Sequence, residues 1–186
     1  MPVCYKEQVL ARLSLLISRD QIAESVHRLS RQVEQDYRGS NLLLVGVLKG
    51  AFMFMADLVR GLELPVEIDF VRLASYGSRR QSTGGVRLQH GLRSSIEGKD
   101  VLIVEDIIDT GHTTRFLIDY LQKRRPASLK LCALLDKPER RQVPVSIDYL
   151  GFTVPNKFVV GYGIDFNQEY RHLPDIFVLE EKENEA

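Results

Sequence analysis

The sequence predicts an α/β domain with a mainly parallel sheet flanked by helices. Two observations carry this. Short, continuous apolar runs alternate along the chain with segments of helical apolar spacing. The two most apolar runs, ending in Lys49-Gly50 and in Glu105-Asp106, stop in loop-type polar residues, where such sheets bind their ligands beyond the carboxyl ends of strands.

Taken in order, Asp20 to Tyr37 places Ile22, Val26, Leu29, Val33 and Tyr37 on one helical face, with Asp20 available as a cap. Leu42 to Leu48 (LLLVGVL) is apolar throughout, as a parallel strand covered on both faces should be, and a helix follows from about Ala51 to Gly61. Val66 to Ala74 alternates apolar and polar residues like a half-buried strand. The stretch SYGSRRQSTGG after it has no apolar period and reads as a mobile loop. Val101 to Val104 is a second buried-type strand, leading through EDIIDTGHTT into a helix that carries Phe116, Leu117, Tyr120 and Leu121. Strands are further predicted at Leu129 to Leu135, around Ile147 to Phe152, at Phe158 to Gly161 and at Ile176 to Leu179, ahead of an acidic tail. No repeat or linker divides the chain, so residues 1–186 read as one domain.

Lys plus Arg and Asp plus Glu each total 25, so the chain has no bulk attraction to nucleic acid or an anionic membrane. Any anion site must be local. The apolar runs fall short of the roughly 20 residues that span a bilayer, and Lys6 and Arg12 interrupt the N-terminal one, which points to a soluble protein without a signal peptide. Cys4 and Cys132 lack the spacing of a disulfide framework or a metal site, as expected in a reducing cytoplasm.

The chemistry concentrates in VLIVEDIIDTGHTT. Glu105 and Asp106 stand at the end of a buried strand, and Asp109 falls in the turn that follows, where unpartnered burial would be costly. Asp109, Thr110, Gly111, His112 and Thr113 open a helix, so their backbone N–H groups and hydroxyls suit a phosphate at the positive end of the helix dipole. Acids beside a phosphate cradle point to a sugar phosphate, because carboxylates accept from vicinal hydroxyls and help to hold hydrated Mg²⁺. The residues alone also fit a plainer reading, in which Asp109 and Thr113 cap the helix and the acids are solvated.

Val101 to Thr113 closely resembles the phosphoribosyltransferase signature, an apolar strand, two acids and a D-T-G-x-T turn. Within that family, the blocks VLKGAFMF, LASYG, VEDIIDTG, LLDKPERR and PNKFVVGYGIDFNQEYRHLP are most similar to those of the hypoxanthine-guanine phosphoribosyltransferases. The resemblance spans about Leu44 to Pro174. It implies the type I phosphoribosyltransferase fold, with a small hood formed by terminal segments. It also implies transfer of the phosphoribosyl group from phosphoribosyl pyrophosphate to hypoxanthine or guanine with Mg²⁺, by a homodimer or homotetramer.

By the same resemblance, Lys49 and Gly50 form the pyrophosphate loop, with a non-proline cis peptide between Leu48 and Lys49. Ser75 and Tyr76 begin the loop that closes over the reacting centre and excludes water. Glu105 and Asp106 hold the ribose hydroxyls and the metal. The run Ile108, Asp109, Thr110, Gly111, His112 and Thr113 binds substrate, with Asp109 managing the purine N7 proton and His112 given no catalytic role. Lys137 donates to purine O6, Phe158 stacks on the base, and the Val159 backbone meets its pyrimidine edge. Asp165 helps to place a second Mg²⁺ and the base's amino side, and Arg171 binds pyrophosphate. An RNA-binding relative, like the pyrimidine attenuation regulators, is the reading of a different class. Zero net charge, Asp109 and the KFVVGYGID segment count against it. Lys137 counts against adenine and the aromatic-plus-lysine pocket against uracil, while the sequence does not decide among hypoxanthine, guanine and xanthine.

Overall fold

The computed structural model of the chain describes residues 13–75 and 86–180. Strand β1 (Leu13–Ile17) leads into helix α1 (Arg19–Asp36). The helix begins one residue earlier than Asp20, and its cap is Ser18. The Gln21 N–H donates to the Ser18 hydroxyl at 3.3 Å, and the Ser18 N–H donates to the Gln21 side chain at 2.9 Å. This capping box satisfies donors at the helix start reciprocally, while Asp20 sits inside the first turn, where its charge favours the positive end of the dipole.

Strand β2 (Leu42–Leu48), helix α2 (Phe52–Arg60), β3 (Val66–Ser75), β4 (Val86–His90), β5 (Asp100–Ile108), helix α3 (His112–Gln122) and β6 (Ser128–Asp136) follow. A 3₁₀ turn (Pro138–Arg140), β7 (Tyr149–Thr153), β8 (Val159–Val160) and β9 (Ile176–Leu179) complete the described chain. Six strands form one sheet in the order β4-β3-β2-β5-β6-β7, parallel throughout except for the antiparallel edge pair β3–β4. The expected mainly parallel sheet with flanking helices is therefore present.

Strand alternation sorts the core into two layers. Leu42 and Leu44 of β2 and Leu102 and Val104 of β5 join α1 and α2 on one face. Leu43, Val45 and Val47 with Val101 and Ile103 join Leu117 and Leu121 of α3 on the other. Helices on both faces explain why these strands are apolar throughout.

The expected hood is a second, antiparallel sheet in the order β1-β9-β8, built from residues near both ends of the described chain. Asp175 ties it to α1, accepting from the Arg19 N–H at 2.7 Å and from the Arg19 guanidinium at 2.9 Å. Neither β1 nor β4 was legible beforehand. Each is a five-residue strand defined by its partner, β9 for one and β3 for the other, and pairing across the sequence leaves no local signature.

The second buried strand is longer than Val101 to Val104. Its pairing with β2 stops at Gly46 and Val104, but its pairing with β6 continues through Glu105–Ala133 and Ile107–Leu135 to Ile108–Asp136. Glu105 and Asp106 consequently lie within β5 rather than at its end. Acidic side chains did not terminate the strand, because one parallel neighbour still satisfies its backbone.

Candidate active site

Where β2 stops short of β5, a step is left at the carboxyl edge of the sheet, and the predicted acids occupy it. Glu105 is buried at 5% exposure. Burial, then the adjoining Asp106 charge, pushes its carboxyl well above the usual carboxylate range. Burial also pushes Asp106 up to about 6, against the opposing pull of the Asp106 and Ile107 N–H groups and the Arg171 charge.

The Leu48–Lys49 peptide is cis, as the resemblance implied. Immediately after it, Gly50 lies so close to β5 that a Cβ there would stand 1.8 Å from Asp106 Oδ2. On the other side, a Cβ on Gly163 would stand 2.2 Å from the Gly50 carbonyl oxygen. The backbone at Gly50 is therefore sandwiched between an acid and the loop after β8, and only glycines allow that approach. Lys49 reaches the same loop, its Nζ donating to Gln168 at 2.8 Å. Asp165 accepts from the Gln168 N–H at 2.9 Å and pairs with Arg171 at 2.7 Å. Arg171 also donates to the Gly163 carbonyl at 2.6 Å. Lys49, Gly50, Asp106, Asp165 and Arg171 are thus brought into one connected cluster.

On the opposite side of β5, a cavity of about 210 Å³ is lined by Glu105, Asp109, Thr110, Gly111 and Thr113, with Leu48 and Leu73 among its walls. Gly111 has φ +88°, the left-handed conformation that lets the chain turn from β5 into α3. The Thr110 carbonyl accepts from the Gln142 and Val143 N–H groups at 2.9 and 3.1 Å, which holds the turn against the segment after β6. No side chain caps α3. The plainer reading of Asp109 and Thr113 as helix caps is therefore not realised, and the first N–H groups of α3 retain their capacity for an anion.

The Asp109 carboxylate is engaged by Arg140 rather than by the helix start. Arg140 Nε donates to its Oδ1 at 2.9 Å, and Arg140 Nη2 approaches its Oδ2 at 3.4 Å. Nothing in its local sequence marks Arg140, the next-to-last residue of the LLDKPERR block, as a partner of Asp109. Lys137 is buried at 8% exposure, and its N–H donates to the Ile108 carbonyl at 3.0 Å. Burial lowers the ammonium's pKa, with Asp109 opposing the shift and Arg140 adding to it. Lys137 is hence a neighbour of Asp109 rather than a solvated charge.

His112 is exposed, and its Nε2 lies 3.1 Å from the Gln142 side chain. Phe158 is 48% exposed and meets Phe166 edge-on, with ring centroids 5.3 Å apart. Val159 is buried in β8 opposite Val178 of β9. The Ser75 side chain and Tyr76, with the loop that follows, lie outside the described residues.

A family model for the phosphoribosyl transferase domain matches residues 18–167, which include β2, β5, α3 and the site residues from Lys49 to Asp165, while Gln168 and Arg171 follow just beyond it. The chain belongs to the phosphoribosyltransferase family. It is 48% identical over 164 residues to the hypoxanthine phosphoribosyltransferase of Salmonella typhimurium, covering 87% of this chain and 92% of that one. It is similar to a crystal structure of a hypoxanthine-guanine phosphoribosyltransferase from Bacillus anthracis, with a TM-score of 0.85 and 46% identity over 89% of this chain and 97% of the other. It is also 48% identical over 165 residues to the bifunctional protein TilS/HprT of Listeria innocua, covering 89% of this chain but 26% of that protein's length. In this phosphoribosyltransferase, the signature turn and the two acids thus occupy one step of the sheet.

Proposed function

We infer that the chain is a purine salvage enzyme, a single-domain phosphoribosyltransferase that transfers the 5-phosphoribosyl group from phosphoribosyl pyrophosphate to hypoxanthine or guanine, yielding IMP or GMP and pyrophosphate. The observation that carries this reading is the uncapped start of α3, which opens with the Thr110 to Thr113 turn onto a cavity shared with buried Glu105. Support for a 6-oxopurine comes from the buried Lys137 beside Asp109.

In this mechanism, the turn N–H groups and hydroxyls bind the 5-phosphate, and the helix dipole adds to its stabilisation. Glu105 and Asp106 accept from the ribose hydroxyls. Lys49, the Gly50 backbone and Arg171 bind pyrophosphate, and Arg171 exchanges part of its pairing with Asp165 for phosphate oxygens. Lys137 donates to O6 while Asp109 accepts the proton of N7 as N9 attacks C1 of the sugar. An adenine amino group would leave the Lys137 donors facing donors, which selects against it. Phe158 stacks on the base, and Val159 meets its edge through the backbone.

Glu105, Asp106 and Asp165 fit Mg²⁺ by the chemistry of their donors, hard carboxylate oxygens. Among the described residues, no group of three or more acidic, His or Cys side chains closes on one point, which suits an ion that draws its other ligands from water and substrate oxygens. When bound, Mg²⁺ supplies charge neutralisation for the departing pyrophosphate. The enzyme acts on small molecules, as a homodimer or homotetramer in the cytoplasm, and Cys132 as a free buried thiol is compatible with a reducing compartment. Among the described residues, no helix is long and apolar enough to cross a membrane.

The test is a steady-state comparison of hypoxanthine, guanine, xanthine, adenine and uracil with phosphoribosyl pyrophosphate and Mg²⁺. Hypoxanthine and guanine should give the highest kcat/KM. A preference for adenine or uracil would overturn the reading of Lys137 and with it the substrate class.

A further inference from the structure

We propose that Arg140 is a positioning residue that locks the Asp109 carboxylate to the turn carrying Lys137, so that the two groups reading one purine edge are set as a unit. This rests on the roles given above to Asp109 and Lys137.

The connections form a closed ring. The Lys137 N–H donates to the Ile108 carbonyl at 3.0 Å, which joins the end of β6 to the end of β5 just before Asp109. Pro138 then starts the 3₁₀ turn, and the Arg140 N–H donates to the Lys137 carbonyl at 3.1 Å. From the end of that turn, the Arg140 side chain returns to Asp109, with Nε at 2.9 Å from Oδ1 and Nη2 at 3.4 Å from Oδ2. Two backbone hydrogen bonds and one side-on fork therefore link the candidate proton acceptor to the candidate O6 donor.

A fork does what a single donor cannot. The last torsion of an aspartate is broad, so one hydrogen bond fixes the direction of the carboxylate but leaves its plane free. Two parallel donors on one rigid guanidinium set the plane as well. That plane matters here because N7 and O6 of a 6-oxopurine stand side by side on the same edge. An acceptor for one and a donor for the other must keep a fixed spacing and tilt, or only one contact forms at a time.

The bland alternative is an ordinary surface ion pair. Its side chains are 47% and 43% exposed, and a pair so solvated contributes little to stability. The two readings differ in what they move. A surface pair changes neither stability nor kinetics appreciably, whereas a positioning pair changes kinetics on the purine side while leaving the melting temperature alone.

The experiment compares Arg140→Gln, Arg140→Lys, Asp109→Asn and the double variant Arg140→Gln/Asp109→Asn, with hypoxanthine and phosphoribosyl pyrophosphate varied in turn. Arg140→Gln should lower kcat/KM for hypoxanthine by about 10- to 100-fold, the range for a lost charge-assisted hydrogen bond, with the KM for phosphoribosyl pyrophosphate unchanged. Arg140→Lys, with charge but no fork, should recover only part of that loss. In the Asp109→Asn background, Arg140→Gln should add nothing, because its target is gone. Wild-type kinetics in Arg140→Gln, equal losses for both substrates, or an undiminished loss in the Asp109→Asn background would each overturn the proposal. Wild-type turnover in Asp109→Asn alone would overturn the underlying role of Asp109 and the proposal with it, so the two failures appear in different proteins.

Discussion

Asp106 and Asp109 lie close together in the chain, yet they are held by opposite physics. Asp106 and its neighbour Glu105 sit inside a strand, where burial works against their charge. Asp109 sits beyond the strand, 43% exposed, in the fork of an arginine. The first pair is proposed above to take a cation and the ribose hydroxyls of the substrate. The second already has its donor, so its geometry is set before substrate arrives. One acidic run thus contains two carboxyls whose charge is opposed by desolvation and a third whose orientation is set by a guanidinium.

The comparison breaks most sharply at Asp109. Asparagine there keeps the size and one acceptor oxygen but removes the carboxylate. Turnover for IMP formation should fall by roughly 10²–10⁴-fold, the usual range for general acid–base catalysis, with nucleotide affinity little changed. Rapid-quench measurement isolates the chemical step, and wild-type kcat there would remove the assignment.

At Glu105 and Asp106, the loss should appear in binding. Replacing both Glu105 and Asp106 by Ala should weaken the Mg²⁺–phosphoribosyl pyrophosphate complex by roughly 10- to 100-fold in calorimetry, as charge-assisted contacts are lost, while circular dichroism stays native. Unchanged affinity in a folded variant would end their assigned role.

Lys137 sharpens the contrast on the base side. Lys137→Ala should raise the KM for hypoxanthine and guanine by roughly 10-fold, with a far smaller change in the KM for phosphoribosyl pyrophosphate. Equal changes in both would identify a general folding defect instead.

The smallest effect is a pH dependence. Folding raises the Asp106 carboxyl from 3.8 to about 6, so it favours the protonated form. That contribution is complete below about pH 4 and is lost as pH rises through about 6. Asp106→Asn, which cannot ionise, should therefore gain in melting temperature relative to the wild type between those values, by roughly 2–4 °C if the effect is about 1 kcal/mol. Mg²⁺ affinity should rise across the same window if the ionised carboxylates are its ligands, as proposed above. A melting difference that is flat with pH would show that Asp106 is already charged in the free protein.

How much of this was legible depended on whether the signal was local. The apolar runs of β2, β5 and β6 announced a sheet covered on both faces, because period and composition are properties of a short stretch. The D-T-G-x-T turn announced a phosphate cradle for the same reason, since the turn conformation and the helix start both follow from neighbouring residues. The cap at Ser18 was missed even though Gln21 made a capping box readable, because Asp20 offered a competing local choice.

The sequence by itself determined the order of the three helices and of every strand but β1 and β4, the acids and the turn between them, and through resemblance the family and the hood. Tertiary structure alone decided that β5 outruns β2 on the β6 side and buries Glu105, that β1 and β4 become strands by pairing with distant partners, and that Asp109 faces Arg140 rather than capping α3. The reason is the same each time: burial and pairing across the chain are set by which segments lie alongside one another, and no window of neighbouring residues carries that information.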